Sequence, residues 1–178
     1  MRFASVDAPE RARRVQLMVF DVDGVLTDGR LFFGPAGEEM KVFHALDGHG
    51  LRMLADSGVR VALLSGRRSA AVAARAAELR IPHVLQGVAS KRPRYEALLA
   101  ELGVPAEACG YMGDELVDLP VLTRCGFACS VAGAPSEVRS RAHFVPGAPA
   151  GAGAAREVCE FVMRAQGSFA RAVEAYLQ

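Results

Sequence analysis

The chain has 178 residues, 51% hydrophobic and 23% charged, with a formal net charge of +1; it is long enough for one domain with a sizeable core and excludes a disordered chain. That charge leaves no basic surplus for a nucleic-acid partner, and no apolar run reaches the length of a membrane span. "MRFASVDAPERARR" lacks the oily centre of a signal peptide, and Cys109, Cys125, Cys129 and Cys159 show no CxxC pairing, so the expectation is a cytoplasmic chain with buried, reduced thiols.

Residues 1–14 read as a polar lead-in to a single domain, 15–178. "VQLMVF" (15–20) is apolar almost throughout, as a strand covered on both faces must be. "GRLFFGPAGEEMKVFH" (29–44) has two β-like runs around a Gly-Pro-Ala-Gly turn at 34–37, so it reads as a hairpin flap. A helical pattern at about 48–57 precedes a strand, "RVALLS" (60–65), and then a helix at about 68–79. "HVLQG" (83–87), a helix at about 91–102, "ACGYMGD" (108–114) and a helix near 115–124 continue the alternation. "GFACSV" (126–131) and "HFV" (143–145) read as more peripheral strands. After the Gly/Pro/Ala-rich stretch 146–155, helices near 153–165 and 168–177, with Gly167 as a stop between them, make a helical tail at 153–178. The sum is an α/β fold: a Rossmann-like, doubly wound, mainly parallel sheet with helices on both faces.

In an open parallel sheet, ligands bind outside the carboxyl ends of the strands. Those ends carry Asp21 and Asp23, Ser65, and Gly113-Asp114, while Lys91 opens the helix after the third core strand. Alone, the DxDG at 21–24 reads equally well as a capped polar turn. With Asp114 beside them, however, the carboxylates repel one another unless a cation sits among them. An all-oxygen set suits a hard ion, Mg²⁺ above all. Lys91 and Ser65 are the groups that would hold the other oxygens of a phosphoryl group.

These residues lie in four dispersed motifs, "DVDGVLTD" (21–28), "LLSGR" (63–67), Lys91 in "ASKRP", and "GDELVD" (113–118). In order and spacing they resemble the haloacid-dehalogenase-like phosphohydrolases. Within that superfamily, "GEEMKVFHALDGHG" (37–50), "SGRRSAAVAARAAELRI" (65–81) and "AREVCEFVMRAQG" (155–167) are similar to the 3-deoxy-D-manno-octulosonate 8-phosphate phosphatases and their relatives acting on sialic-acid-type 9-phosphates. The resemblance implies a Mg²⁺-dependent phosphatase for a small sugar-acid phosphate, working through an aspartyl phosphate in lipopolysaccharide precursor synthesis. Asp21 would be the nucleophile and Asp23 the acid and base. Asp21 and Asp114 would ligate metal by side chain, and Asp23 by its carbonyl. Ser65, Gly66 and Lys91 would hold the phosphoryl group, with Asp118 and Glu115 outside the ligand set, Asp118 orienting Lys91 or a metal water. Glu115 departs from the aspartate usual there, and Ala152 from an arginine carried on a tail that reaches a neighbouring subunit's site. The gaps from Asp21 to Ser65 and from Ser65 to Lys91 leave no room for a cap domain, so the flap would cover the site. A homotetramer with sites near subunit boundaries is implied.

Arg67 and Arg75 share a helical stripe and are candidates for substrate binding; Arg67, beside Ser65, is a candidate for binding a substrate carboxylate and reads equally as a solvated surface arginine. Asp47, between His44 and His49, reads as a helix N-cap, and under the resemblance Asp47, His44 and Lys41 become candidates for contacting the sugar's hydroxyls or carboxylate. Gly48 and Gly50 read as a close backbone approach, and Asp28 as a structural residue at the flap's mouth. Two rivals stand beside the sugar phosphatase: a non-catalytic assembly module of the same fold, and a capless phosphatase for macromolecules such as phosphoproteins.

Overall fold

The computed structural model of the chain describes residues 3–177, and it draws the N-terminal segment into the fold. Phe3–Ala4 forms a strand, β1, and Ala8–Arg13 a helix, α1. Ala8 and Ala12 are fully buried on α1, and the Arg11 guanidinium donates to the Gly126 carbonyl at 2.9 Å. The expected lead-in therefore covers a sheet edge and a helix face. Its polar composition reflects the outward side of α1, where Glu10 pairs with Arg13 and Arg14. Two buried alanines among arginines are too narrow a stripe to announce that face in the sequence.

The remaining elements are β2 (Leu17–Phe20), the flap strands β3 (Phe32–Phe33) and β4 (Glu39–Met40), α2 (Ala45–Asp56), β5 (Arg60–Leu64), α3 (Ala70–Glu78), β6 (His83–Leu85) and α4 (Lys91–Leu102). Then follow β7 (Cys109–Met112), α5 (Leu119–Leu122), β8 (Phe127–Cys129), α6 (Ser136–Arg139), β9 (Phe144–Val145), α7 (Ala154–Ala165) and α8 (Phe169–Glu174). The main sheet runs β1-β9-β8-β7-β2-β5-β6, with every pair parallel except β1 on β9. Right-handed crossovers put α2 and α3 on one face and α4 and α5 on the other. α7 returns to the first face, where it packs against α1 and α2. The chain steps from β2 to β5 and β6, then crosses back to β7 on the other side of β2. That reversal opens a crevice beyond the carboxyl ends of β2 and β7.

All four residues of β2 are buried, as a central strand requires. On α7, Phe161 stacks on Phe144 and Phe127 with ring centroids 4.3 and 5.8 Å away. The α2–α7 crossing is close because Gly50 has no side chain; a Cβ there would meet the Arg156 Cα at 3.0 Å. All four cysteines are buried free thiols, and burial pushes Cys109 up to about 12.

Two elements depart from the sequence reading. The helix near 115–124 is a 3-10 turn, Leu116–Asp118, followed by the single turn of α5, because Glu115 and Asp118 form a capping box and Pro120 sits in the first turn. α2 begins at Ala45 rather than near 48, so Asp47 lies inside its first turn and is not its N-cap.

Because Ala12 is fully buried against α7, Ala12→Asp should cost about 3 kcal/mol or more of unfolding free energy in urea titrations. An unchanged midpoint would mean that α1 is not packed on the domain.

Candidate active site

β2 and β7 run in register, and the Asp21 amide extends their ladder by donating to the Met112 carbonyl at 2.9 Å. Each strand is followed at its carboxyl end by a motif aspartate: Asp21 directly after β2, and Asp114 just beyond β7. The loop after Asp21 folds back on the Val22 carbonyl, which accepts from the Val25, Leu26 and Thr27 amides. Gly24 has φ +80°, and any Cβ there would run into the Asp114 carboxylate. Glycine is thus required twice over at that point, by backbone angle and by space.

Lys91, buried at the start of α4, donates to Asp21 Oδ2 and to Asp118 Oδ1, each at 2.6 Å. Asp118 is fully buried and saturated: its Oδ1 also accepts from the Tyr111 hydroxyl at 2.6 Å, and its Oδ2 from the Asp114 and Glu115 amides, each at 3.0 Å. The Val22 amide donates to Asp21 Oδ1 at 2.7 Å. One carboxylate oxygen from each of Asp21, Asp114 and Asp118 lies within 4.8 Å of the others, so three acids face one lysine. Burial is the largest cause of the upward shifts that follow: Asp21 rises to about 6 against the pull of Lys91, and Asp114 to about 7 with Asp21 and Asp118 adding to the rise. Burial alone would lower the Lys91 ammonium, but Asp21 and Asp118 outweigh it and hold it above its ordinary value.

The donor set fits a hard cation. Among the described residues, Asp114 Oδ1 and Asp23 Oδ2 are buried without a hydrogen-bond partner, the condition that a ligand would relieve. Asp118, with two donors already on each oxygen, has the least to offer an ion. Glu115 is exposed and spends its carboxylate on the Leu116 amide at 2.6 Å, away from the cluster.

Ser65, directly after β5, is buried, and its hydroxyl accepts from the Arg67 amide at 3.3 Å, which curls the loop through Gly66. Arg67 points to the flap: its guanidinium lies 3.2 Å from Glu39 and 3.9 Å from Asp23. Lys41, also on the flap segment, pairs with Asp23 and with Glu39. Asp28 accepts from the Arg30 amide at 3.0 Å and stays outside the cluster.

Asp47 and Arg75 are not brought to this site within the chain. The Asp47 carboxylate accepts from the Gly153 amide at 3.1 Å and the Arg156 amide at 2.8 Å, capping α7, which has no side-chain cap of its own. Arg75 lies over Gly48 and pairs with Glu78 at 2.7 Å. Ala152 is exposed in the loop before α7, next to Gly151, whose amide donates to the Val25 carbonyl at 3.1 Å. The sequence reading missed Tyr111 and Glu39. Glu39 had a usable signal, since it stands two residues before Lys41 in an extended run and shares its side.

Residues 78–157 match the model of a haloacid dehalogenase-like hydrolase family. The chain is 41% identical to the 3-deoxy-D-manno-octulosonate 8-phosphate phosphatase of Yersinia pestis, over 90% of this chain and 86% of that protein. A probable YrbI family phosphatase from Pseudomonas syringae pv. phaseolica superposes with a TM-score of 0.95 at 48% identity, covering 98% of this chain and 99% of the other. The 3-deoxy-D-manno-octulosonate 8-phosphate phosphatase of Moraxella catarrhalis, solved with magnesium, phosphate and the sugar acid, superposes at 0.93 with 36% identity, covering 96% and 98%. An acid cluster at a strand-order reversal, served by one buried lysine, thus sits in a chain that belongs to the haloacid dehalogenase-like hydrolases, in the family of 3-deoxy-D-manno-octulosonate 8-phosphate phosphatases, and is a phosphoric monoester hydrolase.

Proposed function

We propose that the chain is a Mg²⁺-dependent phosphatase that converts 3-deoxy-D-manno-octulosonate 8-phosphate to the free sugar acid and phosphate through a phosphorylated Asp21. The carrying observation is the convergence of Asp21, Asp114 and Lys91 at the strand ends, in a chain similar to the Moraxella enzyme described with magnesium, phosphate and sugar acid. Asp21 and Asp114 would hold the ion by side chain and Asp23 by its carbonyl. When bound, the ion masks the negative charge that would otherwise repel a carboxylate from a phosphate.

Asp21 is fixed for attack before substrate arrives, one oxygen held by the Val22 amide and the other by Lys91. Attack on phosphorus forms the Asp21–phosphoryl bond and breaks the bond to the sugar oxygen, which Asp23 protonates. Asp23 then takes a proton from the water that cleaves the intermediate. Lys91, steered by saturated Asp118, balances charge on the equatorial oxygens, while Ser65 and Gly66 flank them.

The assembly we propose is a homotetramer that buries the flap, since Leu31, Phe33, Met40 and Val42 are 45%, 61%, 56% and 67% exposed there. A cytoplasmic setting suits the four free, buried thiols. Among the described residues, no helix is long and apolar enough to cross a membrane.

Phosphate release from the sugar-acid phosphate with Mg²⁺ tests the substrate; no release sinks it. Asp21→Asn should lower kcat at least ~10³-fold while circular dichroism stays native, and substantial residual turnover would remove the nucleophile. Without metal, Asp114 at about 7 holds a proton in the folded chain that the unfolded chain has lost above its ordinary 3.8. Its ionisation therefore costs stability increasingly as pH rises through that window. Metal-free Asp114→Asn should gain on the wild type in urea titrations between about pH 4 and pH 7; a gap that does not change with pH would contradict the shift. Light scattering should give four times the chain mass, and a stable monomer would contradict the tetramer.

A further inference from the structure

The "DGHG" at 47–50 lies near the start of α2, yet its contacts run to the C-terminal helices. Asp47, buried, accepts from the Gly153 amide at 3.1 Å and from the Arg156 amide at 2.8 Å. His49 holds the Arg156 guanidinium at 3.2 Å and the Tyr176 hydroxyl at 2.7 Å, and Gly50 lets α7 lie close. Two residues before Gly153, the Gly151 amide donates to the Val25 carbonyl, on the loop that carries Asp23. Gly151 is pressed onto that loop. Its φ is +60°, and a Cβ there would lie 2.5 Å from the Asp28 amide nitrogen and from the Thr27 carbonyl carbon. The Thr27 hydroxyl in turn accepts from the Gly24 amide at 3.3 Å, next to Asp23.

We infer that Asp47 is a positioning residue for Asp23: by holding Gly153 and the start of α7, it keeps Gly151 seated against the catalytic loop. The inference rests on reading Asp23 as the acid that protonates the leaving oxygen. Length decides the coupling. Gly151 and Gly153 are two residues apart, a span of about 7 Å at full extension, so the catalytic loop follows wherever the start of α7 goes. The preceding stretch moves with α7 as well, because Glu157 accepts from the Gly147 and Ala148 amides, each at 2.9 Å. A carboxylate suits position 47, since both of its donors are backbone amides; an asparagine would set its own NH2 against one of them. Proton transfer to the leaving oxygen tolerates little slack, as a misplacement of about 1 Å can cost about 10²-fold in rate.

The test compares two leaving groups on the Mg²⁺-loaded protein. The sugar-acid phosphate releases an alkoxide that needs the proton, whereas p-nitrophenyl phosphate releases a phenolate that leaves without it. Asp47→Asn should lower kcat/KM about tenfold for the sugar-acid phosphate and less than about twofold for p-nitrophenyl phosphate, with Asp47→Ala larger in the same direction. Val162→Ala, which weakens α7 from its buried face, should show no such split, and circular dichroism should stay native in all three. Amide hydrogen exchange over residues 22–28 should quicken about fivefold in Asp47→Ala, the scale of one hydrogen bond, and stay unchanged in Val162→Ala. Asp23→Asn sets the reference split. Where Asp23→Asn shows it, equal losses on both substrates, or unchanged exchange over 22–28, overturn the inference. Where Asp23→Asn shows none, or the sugar-acid phosphate is not turned over, the proposed acid or substrate fails instead. Exchange alone then decides whether Asp47 holds the loop.

Discussion

Two neighbouring parallel strands, β2 and β7, each lead into an aspartate, and the sheet's own hydrogen bonds fix how near those carboxylates stand. Asp21 cannot retreat from Asp114, because its amide is tied to Met112 and its loop is folded onto Val22. The repulsion is therefore built into the ladder, and the surroundings are arranged around it. Lys91 answers part of the charge, and burial raises what remains, so that Asp21 and Asp114 titrate near 6 and 7 rather than in the ordinary carboxylate range. Such a site gains most from a divalent ion and a phosphoryl group arriving together, since each offsets the charge of the other.

Asp118 shows how the fold keeps this arrangement in place. It is a buried carboxylate with a donor for every direction: Lys91 and Tyr111 on one oxygen, two backbone amides on the other. Saturation stabilises its charge. Together with Asp21, Asp118 holds Lys91, so the ammonium is positioned before any substrate enters. The same residue completes the capping box with Glu115, which places the amides that Asp118 itself receives. Glu115 thus acts on the backbone of the turn, and its extra methylene over aspartate lies outside the charged centre.

Much of this was legible in the chain because strand ends can be read locally. Apolar runs that stop at an acid, a serine or a Gly-Asp pair mark the carboxyl edge of a parallel sheet, and a lysine at a helix start faces the same edge. What escaped was carried by contacts distant in sequence. Asp47 looked like a cap for its own helix and a sugar contact, yet it caps α7, 106 residues later at Gly153. Nothing near Asp47 announces that partner. Arg75 shares a stripe with Arg67, but α3 starts only at Ala70, so Arg67 belongs to the loop and turns to the flap while Arg75 lies over Gly48. The N-terminal segment was read by composition, which records the exposed side of α1 and misses the two alanines that dock it. Tyr111 was hidden in a strand whose apolar neighbours suggest core, where its hydroxyl is the one polar group reaching Asp118 from β7.

We read the acid cluster as a cation site built from Asp21 and Asp114. Calorimetric titration of the metal-free protein with Mg²⁺ at about pH 8, above both shifted carboxyls, measures it most directly. One ion per chain, with binding lost in Asp114→Asn, is the predicted result. No binding, or equal binding by the wild type and Asp114→Asn, would contradict it.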